Sequence, residues 1–142
     1  MQTSPAYERD GFVFPLEVMT PDRAAEYRAM FESVEASYAD DAVASRILKG
    51  TASIVLPFVD EIMRLPSLLE PVKAILGDDL LVTGANFFIK EPATSAFVSW
   101  HQDLTYWGVD DASEVTAWVA LTPATRENGC MRFIPGSHRR KL

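Results

Sequence analysis

The pattern of apolar residues changes near residue 79, and that change constrains the fold more than any other feature of the chain. Before it, the spacing is helical. Thr20-Pro21-Asp22 reads as a helix start, with a Thr N-cap, Pro at the first helical position and an acid in the first turn. Tyr27, Met30, Phe31 and Val34 follow at i, i+3, i+4 and i+7, which predicts one buried helical stripe. Pro57 to Leu65 and Ser67 to Leu76 read as two short helices, the second ended by Gly77, whereas Asp40 to Gly50 fits no single pattern. After residue 79 the signals are those of strands: Leu80-Leu81-Val82, Asn86-Phe87-Phe88-Ile89, Ala96-Phe97-Val98, Val115 to Leu121, and Met131-Arg132-Phe133-Ile134. Turn-rich pieces separate them, among them Glu91-Pro92-Ala93-Thr94, Asp110-Asp111-Ala112-Ser113, Glu127-Asn128-Gly129 and Pro135-Gly136-Ser137. Helices first and strands afterwards predict an α+β fold, helical over 1–78 and strand-bearing over 79–142, in one domain of 142 residues.

Composition narrows the function classes. The formal net charge is −7, which argues against a partner that is a polyanion, so neither nucleic acid nor an anionic membrane surface is expected. Apolar residues make up 48% of the chain, enough to build a core. The single cysteine, Cys130, excludes an intrachain disulfide and makes a cysteine-based zinc cluster a poor expectation. No apolar run approaches the roughly 20 residues a membrane span needs, and Met1 to Asp10 lacks the pattern of a signal peptide. A cytoplasmic protein is the resulting expectation.

The chemistry centres on two histidines, His101 and His138. His101 stands in Trp100-His101-Gln102-Asp103, directly after a predicted strand. On extended backbone, residues i and i+2 share a face, so His101 and Asp103 project together and Gln102 turns away. One imidazole nitrogen beside one carboxylate oxygen is two thirds of a 2-His-1-carboxylate facial triad, which holds Fe(II) on one face and leaves the others open. The same pair also reads as a partly buried histidine hydrogen-bonded to its neighbouring aspartate. Trp118, inside an apolar strand, reads equally as core packing.

Three segments in order, Trp100 to Trp107, Val115 to Leu121 and Glu127 to His138, resemble the phytanoyl-CoA dioxygenase family. Tyr7-Glu8-Arg9-Asp10-Gly11-Phe12-Val13 and Phe87-Phe88-Ile89-Lys90-Glu91-Pro92 extend the resemblance toward the N-terminus. The resemblance implies an Fe(II)- and 2-oxoglutarate-dependent oxygenase, with N-terminal helices packed on a double-stranded β-helix, or jelly roll. It implies O2 and a small organic molecule as reactants, with 2-oxoglutarate decarboxylated to succinate and the substrate hydroxylated. Halogenation, the other outcome of such chemistry, needs the carboxylate ligand to be missing, and Asp103 fills that position. By the resemblance, His101 and Asp103 are iron ligands and the catalytic centre. Trp118 lines the 2-oxoglutarate pocket, and Asn86 is a strand position facing the cosubstrate. Thr116 joins the candidate cosubstrate residues because strand alternation gives it a face in common with Trp118.

His138 belongs to the Pro-Gly-Ser-His turn of that pattern and not to its ligands. The family's distal iron-binding histidine, and the arginine that pairs with the far carboxylate of 2-oxoglutarate, lie on later strands. Neither occurs before Leu142, so the expectation is a C-terminally truncated member with an incomplete jelly roll. Two further readings stay open. One is a non-catalytic remnant acting as a binding or dimerisation module. The other is an enzyme that completes its site with His138 or a partner subunit's ligand. The sequence carries no signal for the oligomeric state and no residue that selects the substrate.

Overall fold

The computed structural model describes residues 4–108, 110 and 113–140. Lys141, and the middle of the predicted turn Asp110-Asp111-Ala112-Ser113, lie outside the described residues. Helix α1 (Pro5–Asp10) starts on a proline and stops at Gly11, whose φ of 84° lets its N–H return to Tyr7 O at 2.8 Å. Helix α2 (Pro21–Ser37) begins as its sequence predicts, with Thr20 Oγ1 accepting from Arg23 N at 3.2 Å. The indeterminate stretch after Asp40 becomes α3 (Ala42–Gly50), because the Asp41 carboxylate accepts from both Val43 N and Ala44 N (3.0 and 2.9 Å). Three more helices, α4 (Ala52–Val55), α5 (Pro57–Met63) and α6 (Pro66–Leu76), follow almost without loops. Each of the last two starts on proline, and α6 ends where Gly77 N donates to Lys73 O at 2.8 Å. No helix among the described residues is long and apolar enough to cross a membrane.

The core lies where α2, α3, α4 and α5 meet. Phe31, Leu48, Ala52, Leu56 and Val59 form one buried cluster, with Val34, Phe58 and Met63 against it. Of the predicted α2 stripe, Tyr27 and Phe31 are buried and Val34 partly so, but Met30 is 43% exposed, at the edge of the stripe. Tyr27 is the best buried large side chain, and its hydroxyl donates to Glu61 Oε2 at 2.9 Å, docking α2 on α5. Arg23 closes the same junction, 3.0 Å from Glu61 and stacked over the Tyr27 ring. Lys49 and Glu35 (2.6 Å) tie α3 to α2.

The second half departs from expectation. Among the described residues there is no strand and no sheet, so the jelly roll predicted for residues 79–142 is not the observed fold. The segments Leu80 to Val82, Asn86 to Ile89, Ala96 to Val98, Val115 to Leu121 and Met131 to Ile134 run without ladder pairing. Among the described residues of this half, the helical pieces are the short α7 (Leu104–Trp107), between the third and fourth segments, and a 3₁₀ turn (Ser137–Arg139) after the last. The physical reason is that a strand is completed by its neighbours. Its backbone groups bond sideways to another strand, and its apolar face needs a second layer. Here both are missing, and Leu81, Phe88 and Phe97 are 89%, 71% and 79% exposed. The segments meet through side chains instead. Phe87 enters the helical core, 4.0 Å from the Phe31 ring, with its N–H on Lys49 O. Arg132 lies over Trp100 (5.6 Å), Lys90 packs against Gly129, and Phe133 stacks on Phe12 (4.9 Å).

Candidate metal centre

His101 and Asp103 come together, but not on the extended strand from which their shared face was expected. The chain runs without regular structure to a bend at Trp100 and turns helical at Asp103, the residue that precedes α7. His101 Nε2 is 3.1 Å from Asp103 Oδ1. The ring's other nitrogen, Nδ1, lies 2.7 Å from Ser99 O. A carbonyl only accepts, so Nδ1 carries the proton in that bond, and a neutral ring then presents the Nε2 lone pair toward Asp103. The second carboxylate oxygen, Oδ2, accepts from the Thr116 hydroxyl at 2.5 Å. Each candidate ligand is therefore oriented by a hydrogen bond to its far side, the usual support of a metal-binding imidazole or carboxylate. Tyr106, from α7, meets the His101 ring edge-on at 5.9 Å. The site is open, with the His101 and Asp103 side chains 35% and 42% exposed.

At 3.1 Å the contact is satisfied in either of two ways: a proton on Nε2 donated to Oδ1, or a cation shared between the Nε2 lone pair and Oδ1. The separation also matches a metal. With metal–ligand bonds of about 2.1 Å, adjacent positions of an octahedron are about 3.0 Å apart. The donor set, one imidazole and one carboxylate, fits two neighbouring positions of a facial triad. Among the described residues no third His, Cys, Asp or Glu completes a cluster. His138 is held elsewhere, its ring against Gly11 and its Nε2 3.3 Å from Glu8 O.

The other sequence candidates are dispersed. Trp118 is 45% exposed, one alternation beyond Thr116. Asn86 sits on α3, beside Lys49 and Gly50; with its amide nitrogen turned toward α3 it donates to Gly50 O at 2.5 Å. The structure thus joins His101, Asp103 and Thr116, and puts Asn86 against the helical half.

Glu114 is a residue the sequence reading missed. Its Oε2 is buried and finds no hydrogen-bond partner among the described residues. Burial foremost, and then the charge of Asp103, push its carboxyl above the ordinary range. Its place two residues before Thr116, on the same face of an extended segment, was the available signal. A raised carboxyl pKa means that the fold favours the neutral form. Stability is thus lost as pH rises from the ordinary carboxyl value, about 4.3, through the raised one. Glu114→Gln is expected to melt above the parent at about pH 7, with the difference closing below about pH 4. Thermal melts followed by circular dichroism across that range check it, and a pH-independent difference counts against this account.

Comparison with known proteins gives a family and partial relatives. The sequence model of the family described as Phytanoyl-CoA dioxygenase (PhyH) matches residues 7–142. The chain is 28% identical over 150 residues to the ectoine dioxygenase of Bordetella bronchiseptica, covering 94% of this chain and 48% of that protein. It is 24% identical to the Streptomyces coelicolor protein of the same name, with 94% and 49% covered. A shorter match, 39% over 59 residues, links it to the phytanoyl-CoA dioxygenase domain-containing protein 1 homolog of Caenorhabditis elegans, covering 41% of this chain and 20% of that protein. The chain thus spans about half the length of the ectoine dioxygenases it matches. No solved structure matches.

Proposed function

The chain belongs to the phytanoyl-CoA dioxygenase family, and from that premise we propose that it contributes the His-x-Asp ligands of a non-haem Fe(II), 2-oxoglutarate-dependent hydroxylase. The observation that carries this reading is the His101–Asp103 pair at 3.1 Å, with Thr116 bound to the back of the carboxylate. Bound Fe(II) would supply the redox chemistry: one oxygen atom of O2 enters succinate, the other becomes the hydroxyl of the substrate, and CO2 leaves. The chain's own residues hold and orient. His101, with Nδ1–H committed to Ser99 O, offers Nε2. Asp103, with Oδ2 occupied by the Thr116 hydroxyl, offers Oδ1. Trp118 would supply an aromatic wall to the cosubstrate on the Thr116 side. Because Asp103 fills the carboxylate position, hydroxylation is favoured over halogenation.

The test is anaerobic titration of the chain with Fe(II), then with 2-oxoglutarate. One equivalent of Fe(II) should bind, and 2-oxoglutarate should add a visible charge-transfer band. Succinate formed under air, with ectoine and with phytanoyl-CoA offered separately, then reports the substrate class. A chain that binds no Fe(II) sinks the reading.

Thr116 provides a sharper check. Thr116→Val keeps the shape and removes the donor, leaving Asp103 free to rotate. Mn(II) affinity, read by electron paramagnetic resonance, should fall about 10–100-fold. The bond lies at the surface, so stability should drop by no more than about 1 kcal/mol. Thr116→Ser should restore most of the affinity.

A further inference from the structure

Gln102 lies between the two candidate ligands and points away from them. Its carboxamide nitrogen donates to Ser137 O at 3.0 Å and to Arg140 O at 2.7 Å. A carboxamide nitrogen carries two hydrogens, so each carbonyl takes one. The two acceptors are the first residue of the 3₁₀ turn Ser137–Arg139 and the residue just after it, 35 and 38 residues further along the chain.

That turn is itself seated on α1. Gly136 N donates to Asp10 O at 2.8 Å, and Arg139 Nη2 donates to Glu8 O at 2.7 Å. The His138 ring packs against Gly11, where a Cβ would leave it no room. Two basic residues therefore meet the carbonyl end of a helix, where the partial charge is negative. Asp10, paired with Arg9 and facing His138 and Arg139, adds a carboxylate to the same junction.

The His-x-Asp segment needs such an anchor. Both candidate ligands are more than a third exposed, so packing does not hold them. α7 is only one turn long. The bonds from Ser99 and Thr116 orient one ring and one carboxylate; Thr105 N to Gln102 O (3.1 Å) and Tyr106 N to Asp103 O (2.9 Å) shape the local turn, which still has to be seated on the rest of the molecule. A rotation of the peptide at residue 102 would swing His101 and Asp103 apart together.

We propose that Gln102 is a positioning residue, which holds His101 and Asp103 at their ligand-like separation by anchoring the backbone between them to the Ser137–Arg140 turn. The metal part of this inference rests on the iron-ligand reading above; the geometric part concerns the metal-free protein.

The decisive variant is Gln102→Met, which keeps length and loses both donors. Two measurements are made on the full chain. The first is imidazole ¹⁵N NMR of His101 without metal at about pH 8, where an ordinary histidine is neutral. The parent should show a single Nδ1–H tautomer, and the variant a mixture of the two. The second is Mn(II) affinity, expected to fall about 10–100-fold, as when other supports of a ligand are removed. Gln102→Glu, which turns a carboxylate toward two carbonyls, should lose at least as much. A variant that melts lower yet keeps the parent's tautomer and Mn(II) affinity overturns the proposal, because Gln102 is then merely structural. Should Gln102→Met fail to fold, Arg139→Ala loosens the same turn from the α1 end, at an exposed position. It should shift the His101 tautomer in the same direction; an unchanged tautomer overturns the proposal. If even the parent binds no Mn(II), the iron-ligand reading falls, and the tautomer measurement still judges Gln102.

Discussion

Asp103→Ala is expected to lose metal affinity by about 100-fold or more, with little change in melting temperature. Removing a supporting group behind a ligand typically costs 10–100-fold, so removing a ligand itself should cost at least the upper end of that range. Only two protein donors face the proposed metal among the described residues, and loss of either leaves a single donor to hold it. His101→Ala should behave alike. Stability should hold, because both side chains are more than a third exposed and neither belongs to the buried core cluster. Fe(II) or Mn(II) titration beside a circular dichroism melt separates the two effects. Parent-like affinity in both variants would mean that the pair is an ordinary His–Asp hydrogen bond. That outcome would remove the geometric observation that carries the iron-ligand reading.

Phe31→Ala should cost about 3–5 kcal/mol, the usual range for truncating a buried phenylalanine. Phe31 is 6% exposed and lies in the cluster with Leu48, Ala52, Leu56 and Val59. Its ring also meets Phe87 at 4.0 Å, so it joins the helical half to the extended half. For a chain of this length the loss corresponds to a melting point lower by about 10–15 °C. It is a large fraction of the 5–15 kcal/mol that holds an ordinary domain together. Met30→Ala is the control. It sits one position earlier on the same helical stripe but is 43% exposed, and should cost less than about 1 kcal/mol. Equal losses at the two positions would show that the burial of the stripe is not as described.

Several features were legible because they depend on neighbours in sequence. Thr20, Pro21 and Asp22 begin α2, since an N-cap satisfies backbone donors two and three residues away. Gly77 ends α6, and Tyr27 and Phe31 fall on the buried face. Asp41 was an equally local signal for α3, obscured by the mixed residues around it. That His101 and Asp103 lie near each other was also legible, since they are two residues apart, but the helical conformation of Asp103 was not.

The remainder depended on partners far along the chain. The alternating apolar segments after residue 79 carry a readiness to form strands, but pairing and a covering layer come from elsewhere in a fold. Without them the segments stay irregular and many of their apolar side chains exposed. Thr116 behind Asp103 and Gln102 on the Ser137–Arg140 turn are contacts across 13 to 38 residues. The same holds for Glu114, whose carboxyl is displaced by burial that no local pattern encodes. Local spacing thus settles where α2 and α5 begin, where α6 ends and which face of α2 is apolar. Long-range packing settles what supports the His101–Asp103 pair, because a hydrogen bond or a buried face belongs to both of its partners, and one-dimensional order names only one of them.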